Sequence, residues 1–282
     1  MRILTFDIED WFHILDHKNT EHHSSWFNYE CRIHHGVDTI LNIVESNNIK
    51  ASFFVVGWIA EKYPEVVKKI SDLGYEIGTH SHYHQLAYNL DEFKFERDIE
   101  KSIKTIEDCI GKKILMFRAP GFSIKKNNIW AFEVLHKLGI EIDCSIFAAQ
   151  RAHGGIHNYN INKPSIIRYN GISLKEFPIN TYNFLGQRIV FSGGGYFRFF
   201  NYEIIKKMSN ESQYIMSYFH PRDFDNNQPK LTNLGLLRNF KLYVGIDKCK
   251  SKLNRWLSDY KFSDINSANN KIDWSKLGVI DL

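Results

Sequence analysis

Ala51-Ser52-Phe53-Phe54-Val55-Val56-Gly57 is an apolar run of strand length, rich in aromatic and β-branched residues. A strand without polar alternation belongs in a parallel sheet, where helices cover both faces. The flanking sequence agrees. On the C-terminal side Ile59, Val66, Val67, Ile70 and Leu73 recur at helical spacing over 58–73, and Gly74 follows as a stop. On the N-terminal side Ile33, Val37, Ile40, Leu41 and Val44 mark a helix over 31–47, and a strand runs from Arg2 to Asp7. Further strands are predicted at 76–78, 114–117 and 140–143, with helices over 91–110 and 128–138 closed by Gly111 and Gly139. This alternation predicts a (β/α) barrel or a related parallel α/β fold.

Residues 147–190 depart from the rhythm, with 166–169 and 174–178 predicted as a small β insertion. Gly193-Gly194-Gly195 predicts a tight loop, 202–209 a helix and 214–219 a strand. The stretch 232–260 is amphipathic helix interrupted by loop, and 266–282 is polar and expected at the periphery. No repeat or low-complexity linker divides the chain, so residues 1–282 are expected to form a single domain.

The composition is that of a soluble globular protein, 43% hydrophobic and 24% charged. A formal charge of +4, without a long Lys/Arg run, excludes a nucleic-acid interface from the leading readings. Four separated cysteines without a C-x-x-C pair argue against a zinc ribbon or disulfide scaffold and fit a reducing compartment. No apolar run suits a signal peptide or a membrane span, so a cytoplasmic location is expected. The sequence says nothing of oligomeric state.

Chemistry gathers where the predicted strands end. Three carboxylates, Asp7, Glu9 and Asp10, close the first strand, and such groups are costly to bury unless paired or bound to a cation. His80, His82 and His84 follow the strand at 76–78. Two histidines four apart can reach one metal ion from a helical turn. Arg118, Asp143 and His220 lie at later strand ends. In a parallel barrel those ends converge on one face, where two histidines and a carboxylate make a hydrolytic metal site with open positions. Arg118 would favour the ionised form of a neighbouring carboxylate.

Thr5-Phe6-Asp7, His80-x-x-x-His84, Arg118-x-Pro120-Gly121 and the late His220 resemble, in order, the motif series of the polysaccharide deacetylase (NodB-homology, carbohydrate esterase) family. Asp7-Ile8-Glu9-Asp10-Trp11-Phe12-His13, Ser192 to Arg198 and Tyr218 to Asp225 are similar to a subgroup associated with surface-glycan gene clusters. The resemblance spans roughly residues 1–260. It implies a distorted (β/α)7-type barrel with a small β insertion and a C-terminal helical extension over 225–282. It also implies a metal-dependent N-deacetylase acting on an N-acetylated sugar, with zinc as the usual ion and cobalt, manganese or nickel as substitutes. Asp7 is then the general base, Arg118 its positioning group, His80 and His84 metal ligands, and His220 the general acid. Asp143 matches a fourth motif loosely, either supporting catalysis or capping a loop.

The family's first motif has two adjacent aspartates, and here Ile8 follows Asp7. The third ligand is therefore Glu9, if the strand continues past Asp7, or Asp10, if the chain turns; Asp10 is the preferred candidate. His82 is expected in solvent or behind the ligands. His13, His22, His23, His34 and His35 are expected at the surface or in loops. Trp11, Phe12, Phe122 and Tyr196 suit either sugar stacking or the core. Other readings are a metal-dependent amidohydrolase on a small non-sugar amide, a silent glycan-binding homologue, and a glycoside hydrolase, which would leave the histidines unexplained.

Overall fold

The computed structural model describes residues 1–146, 153–156, 162–232 and 234–282. The first half alternates as β1 (Arg2–Ile3), β2 (Thr5–Ile8), α1 (Ile33–Ser46), β3 (Ser52–Val55), α2 (Gly57–Lys62), α3 (Pro64–Asp72), β4 (Glu76–Thr79), α4 (Glu92–Ile110), β5 (Met116–Phe117), α5 (Ala131–Lys137) and β6 (Ile142–Asp143). The second half adds β7 (Ser165–Tyr169), β8 (Ile172–Glu176) and the hairpin β9 (Tyr182–Phe184) and β10 (Gln187–Ile189). Then come α6 (Gly194–Phe199), α7 (Tyr202–Glu211), β11 (Ile215–Met216), α8 (Leu236–Tyr243), α9 (Ile246–Asp259), α10 (Ile265–Asn269) and β12 (Val279–Asp281). Residues 147–152 and 157–161 of the irregular stretch lie outside the described residues.

Eight strands form one sheet in the order β12-β7-β8-β6-β5-β4-β3-β2, parallel throughout except for β7 against β8. The ladder continues past β2. β1 pairs with β11 in parallel, Asp7 N–H donates to Phe219 O, and Tyr218 N–H donates to Ser192 O. The strands thus take the order of a (β/α)7-type barrel, but no closed barrel forms among the described residues. At the seam beyond β8, the Asn180 amide oxygen accepts from Met216 N–H at 3.0 Å and from the Ser192 hydroxyl at 3.4 Å.

Burial on both faces explains the apolar strands. Phe53 packs with Phe6, Val37, Ile70 and Ile99 in the larger core, while its neighbour Phe54 packs with Ile3, Met116, Ile142 and Met216 in a second cluster. Successive strand side chains point to opposite faces, so a strand feeding two cores must be apolar at every position.

Three predicted features differ. The helix over 58–73 is two helices, because Pro64 supplies no N–H and drives Tyr63 out of helical conformation, to φ −133° and ψ 58°. The 266–282 tail is largely exposed, as expected, but it is anchored: Ala268 is buried, and β12 pairs with β7 at the sheet edge. Gly193-Gly194-Gly195 mostly opens α6 rather than a loop, and Gly193 is required by space. A Cβ there would lie 1.9 Å from the Tyr218 carbonyl oxygen. All four cysteines are free thiols, and among the described residues no helix is long and apolar enough to cross a membrane.

Gly193→Ala should lower stability by about 1–3 kcal/mol through overpacking. Gly278→Ala is the control, since a Cβ there meets nothing within 4 Å. Urea unfolding of both variants measures the difference.

Candidate active site

The histidines converge through backbone reversals, not a helical turn. After β4, Ser81 and His84 take φ of +62° and +50°, a left-handed conformation uncommon outside glycine. These reversals bring the His84 ring within 5.1 Å of the His80 ring, centroid to centroid. Two side chains of α4 hold the bend. Asp98 accepts from His82 N–H at 2.8 Å and Tyr83 N–H at 3.1 Å, and the Ser102 hydroxyl donates to Ser81 O at 3.0 Å.

Glu9 completes the cluster. Its Oε2 lies 2.6 Å from His84 Nε2, and ligand atoms of buried Glu9, His80 and His84 lie within 4.8 Å of one another. His80 Nδ1 sits 2.7 Å from the Arg118 carbonyl oxygen. A carbonyl only accepts, so Nδ1 carries the proton and Nε2 keeps its lone pair. Burial lowers the His80 pKa to about 4 despite Asp7 nearby, which keeps the ring in its neutral, ligating form. Burial alone would raise the Glu9 carboxyl, but His84 and His220 outweigh it and hold it well below the usual range. Two neutral-capable imidazoles and an ionised carboxylate fit a divalent cation.

The structure does not bring Asp10, the preferred third ligand, to this cluster. Its Oδ1 accepts from Trp11 N–H, and its Oδ2 accepts from Arg32 N–H at 2.8 Å and Ile33 N–H at 3.0 Å. Asp10 thus satisfies otherwise unpaired donors at the start of α1. Burial pushes its pKa up to about 6 against those three bonds.

Beside the cluster stand Asp7 and His220. Arg118 Nη1 donates to Asp7 Oδ1 and to Thr5 Oγ1, both at 2.7 Å, and all three residues are buried. The guanidinium also lies 4.2 Å from the Phe54 ring centroid. His220 Nε2 is 3.9 Å from Asp7 Oδ2 and 3.7 Å from Glu9 Oε1. Its Nδ1 lies 3.0 Å from Asp223 Oδ2, and Asp223 Oδ1 lies 2.9 Å from Arg198 Nε. Burial disfavours the imidazolium, but Glu9, Asp223 and Asp7 outweigh it and push His220 up to about 9. A cation on Glu9 would bring that value down. Asp223 is held near 2 by Arg198 and His220 against its burial.

Asp143 acts at one remove. It accepts from Ser145 N–H and from the Ser145 hydroxyl, and that hydroxyl accepts from Ala119 N–H at 2.8 Å. The arrangement caps the loop that carries Arg118. Glu176 lies beside Asp143 in register, with Oε1 accepting from Ile146 N–H and its carboxyl group hydrogen-bonded to the Asp143 carboxylate.

Residues 17–142 match the family described as polysaccharide deacetylase, and residues 144–270 match a domain of unknown function (DUF3473). Residues 17–142 thus form a polysaccharide deacetylase domain. A peptidoglycan-N-acetylglucosamine deacetylase of Bacillus cereus is 33% identical over 95 residues, which are 33% of this chain and 34% of that relative. A peptidoglycan deacetylase of Helicobacter pylori is 29% identical over 111 residues, 39% and 37% of the two chains. The matched stretch thus spans roughly a third of each curated relative. A candidate polysaccharide deacetylase from Mycobacterium smegmatis, 17% identical, superposes over 100% of this chain and 92% of its own with a TM-score of 0.67. A CE4-family pseudoenzyme from Bacillus anthracis, 13% identical, superposes over 100% and 69% with a TM-score of 0.53. At these identities the structures show a shared fold.

Within this deacetylase fold several sequence expectations change. His82 is fully buried and lies 3.1 Å from Glu61, away from the ligand cluster. His13 is no surface residue: it is buried, its Nδ1 accepts from Asp10 N–H at 2.8 Å, and its ring packs 4.1 Å from Trp26. His22, His23, His34 and His35 are exposed. Trp11 and Phe12 are core, whereas Phe122 and Tyr218 line the cleft. Arg198 and Asp223 lie in the subgroup motifs but gain their roles only from the structure, and Asp98 and Glu176 stand outside every motif. Asp98 and Ser102 did carry a signal, because they interrupt the apolar stripe Phe95, Ile99, Ile106 of α4.

Burial, and then the Asp143 charge, raise Glu176 well above the 4.5 it has in an unfolded chain. A raised folded value means its stabilisation is complete below pH 4.5 and is lost as pH rises through the folded pKa. Glu176→Gln removes that loss, which runs at up to about 1.4 kcal/mol per pH unit. The variant's melting temperature should therefore vary less than wild type between about pH 5 and 9.

Proposed function

We propose that this chain is a metal-dependent hydrolase that removes N-acetyl groups from an N-acetylated sugar of a surface polysaccharide or its precursor. One observation carries the reading: Glu9, His80 and His84 share a cleft of about 640 Å³ with Asp7 and His220. That volume lies in the range of small-ligand sites. Relatives named as peptidoglycan and peptidoglycan-N-acetylglucosamine deacetylases support an N-acetylhexosamine substrate. The pseudoenzyme neighbour shows that the fold does not guarantee turnover, so the weight falls on the complete residue set.

A divalent ion, preferably zinc, held by Glu9, His80 and His84 would supply Lewis-acid polarisation of the acetyl carbonyl and acidify the attacking water. The remaining steps belong to the chain. Arg118 occupies Asp7 Oδ1, leaving Oδ2 to take the water's proton. The His220 Nδ1–H faces the Asp223 carboxylate, so Nε2–H is the proton available to the departing amine. Arg198 keeps Asp223 ionised and in place for that task.

Acetate release from a set of soluble N-acetylhexosamine oligomers, with zinc, cobalt or manganese supplied, tests the reading. No release across the set would overturn it. Asp7→Asn should retain metal and lose about 10²–10⁴-fold in kcat, the usual contribution of a positioned base.

Elemental analysis after gel filtration separates the ligand candidates. Glu9→Ala and His80→Ala should lose stoichiometric metal. Asp10→Ala should keep it, while losing about 1–3 kcal/mol of stability in urea because buried backbone donors lose their acceptor. Metal loss in Asp10→Ala with retention in Glu9→Ala would reverse the assignment.

A further inference from the structure

Neither the stretch 177–202 nor the stretch 226–246 contains an acidic residue, and both expose apolar side chains. They meet in space. Phe199, ending α6, packs against Phe240 of α8 with ring centroids 5.9 Å apart. Phe200 links this pair to Phe184 of the β9–β10 hairpin, at 5.4 and 5.3 Å respectively. Leu185, Phe199, Leu236, Leu237 and Phe240 are 89, 55, 90, 79 and 52% exposed along this surface. No residue of α8 is buried. Scattered exposed leucines are ordinary, but a connected apolar surface marks an interaction site.

The charge pattern selects the partner. Lys230, Arg238 and Lys241 are the ionisable side chains of strong charge in 226–246, all cationic. Glu211, which meets the hairpin, is engaged by the Tyr182 hydroxyl. A protein partner's rim accepts acids as readily as bases. Leucine and phenylalanine beside lysine and arginine, with no acid in either stretch and Asp16 at the cleft mouth facing Arg238, instead match a helix lying in the interface of an anionic bilayer.

We propose that α8, with Phe199 and the hairpin tip, docks this protein peripherally on an anionic lipid surface. Leu236, Leu237 and Phe240 enter the acyl boundary, and Lys230 and Lys241 sit among the headgroups. Leu237, Lys241 and Leu242 also line the cleft of Asp7 and His220, so the docked face and the cleft mouth are continuous. Docking therefore places the cleft beside a glycan carried on a membrane lipid. That substrate class rests on the deacetylase reading; the docking does not.

Flotation of the full chain with vesicles of phosphatidylcholine, with and without phosphatidylglycerol, tests the proposal. The chain should float with the anionic vesicles, less with the neutral ones, and less at high salt. The double variant L236S/F240S should lose at least about tenfold in vesicle partitioning, given the apolar burial it forfeits. The variant L236W/F240W should keep binding, with a blue shift of tryptophan emission on adding vesicles. Both should melt like wild type and release acetate from a soluble oligomer at the wild-type rate. Failure of the full chain to float, or undiminished flotation of L236S/F240S, overturns the proposal. A solution dimer that dissociates in L236S/F240S overturns it too and assigns the face to a second copy. Flotation without acetate release from any oligomer leaves docking standing and sinks the deacetylase reading; release without flotation does the reverse.

Discussion

Arg118 is the constraint on which the site depends. It is fully buried, and burying a guanidinium is expensive unless its donors are used. Nη1 meets Thr5 and Asp7 on β2, Nε reaches the Cys144 carbonyl just past β6 at 3.4 Å, and the plane lies over Phe54 of β3. Its own carbonyl fixes the tautomer of His80. One residue therefore registers three strands against each other and orients both Asp7 and a metal-ligand candidate. Removing one partner of a buried pair like Arg118–Asp7 typically costs about 3–5 kcal/mol, because the other charge stays buried alone. The β2–β6 part of the sheet and the site are, in this sense, one structure.

Much of this was legible in the sequence because it is local or periodic. The double-sided strand at 51–57, the glycine stops at 74, 111 and 139, and the histidine and arginine positions at strand ends need only spacing and composition. What spacing does not reach is what depends on other parts of the chain. Asp10 sits apart from the His80–His84 cluster because the free N–H groups at the start of α1 claim it. The left-handed bends at Ser81 and His84 are paid for by Asp98 and Ser102, one helix away, and no spacing rule shows which helix faces a loop. The break at Pro64 was visible and needed only proline's missing donor. The strand Val279–Asp281 was invisible by contrast, since three residues carry no period and its order comes from β7.

The two family matches divide the chain at residue 143, yet neither segment holds the site. The first, residues 17–142, contains His80, His84 and Arg118. The second, residues 144–270, contains Glu176, Arg198, His220 and Asp223. Asp7 and Glu9 precede both. The dividing residue itself, Asp143, belongs to β6 and pairs with β5 on one side and β8 on the other. Backbone bonds between 3–7 and 217–219 then join the chain's beginning to its second segment. We propose that the segments are halves of one folding unit, because the cleft is complete only where they meet.

Arg198 connects that cleft to its rim. Its guanidinium lies against Asp223, which orients His220, and also donates to the carbonyls of Lys241, Leu242 and Val244 at the end of α8. These are the carbonyls a helix leaves unpaired at its C-terminus, where a cation is favoured. The same side chain therefore caps the rim helix and anchors the carboxylate behind His220. Packed interiors transmit displacement rather than absorb it. A shift of α8 must stretch its capping bonds to Arg198 or carry Arg198 along, and carrying it along loosens Asp223 from its cation. The position of the rim helix and the orientation of His220 are thus coupled through a single buried guanidinium.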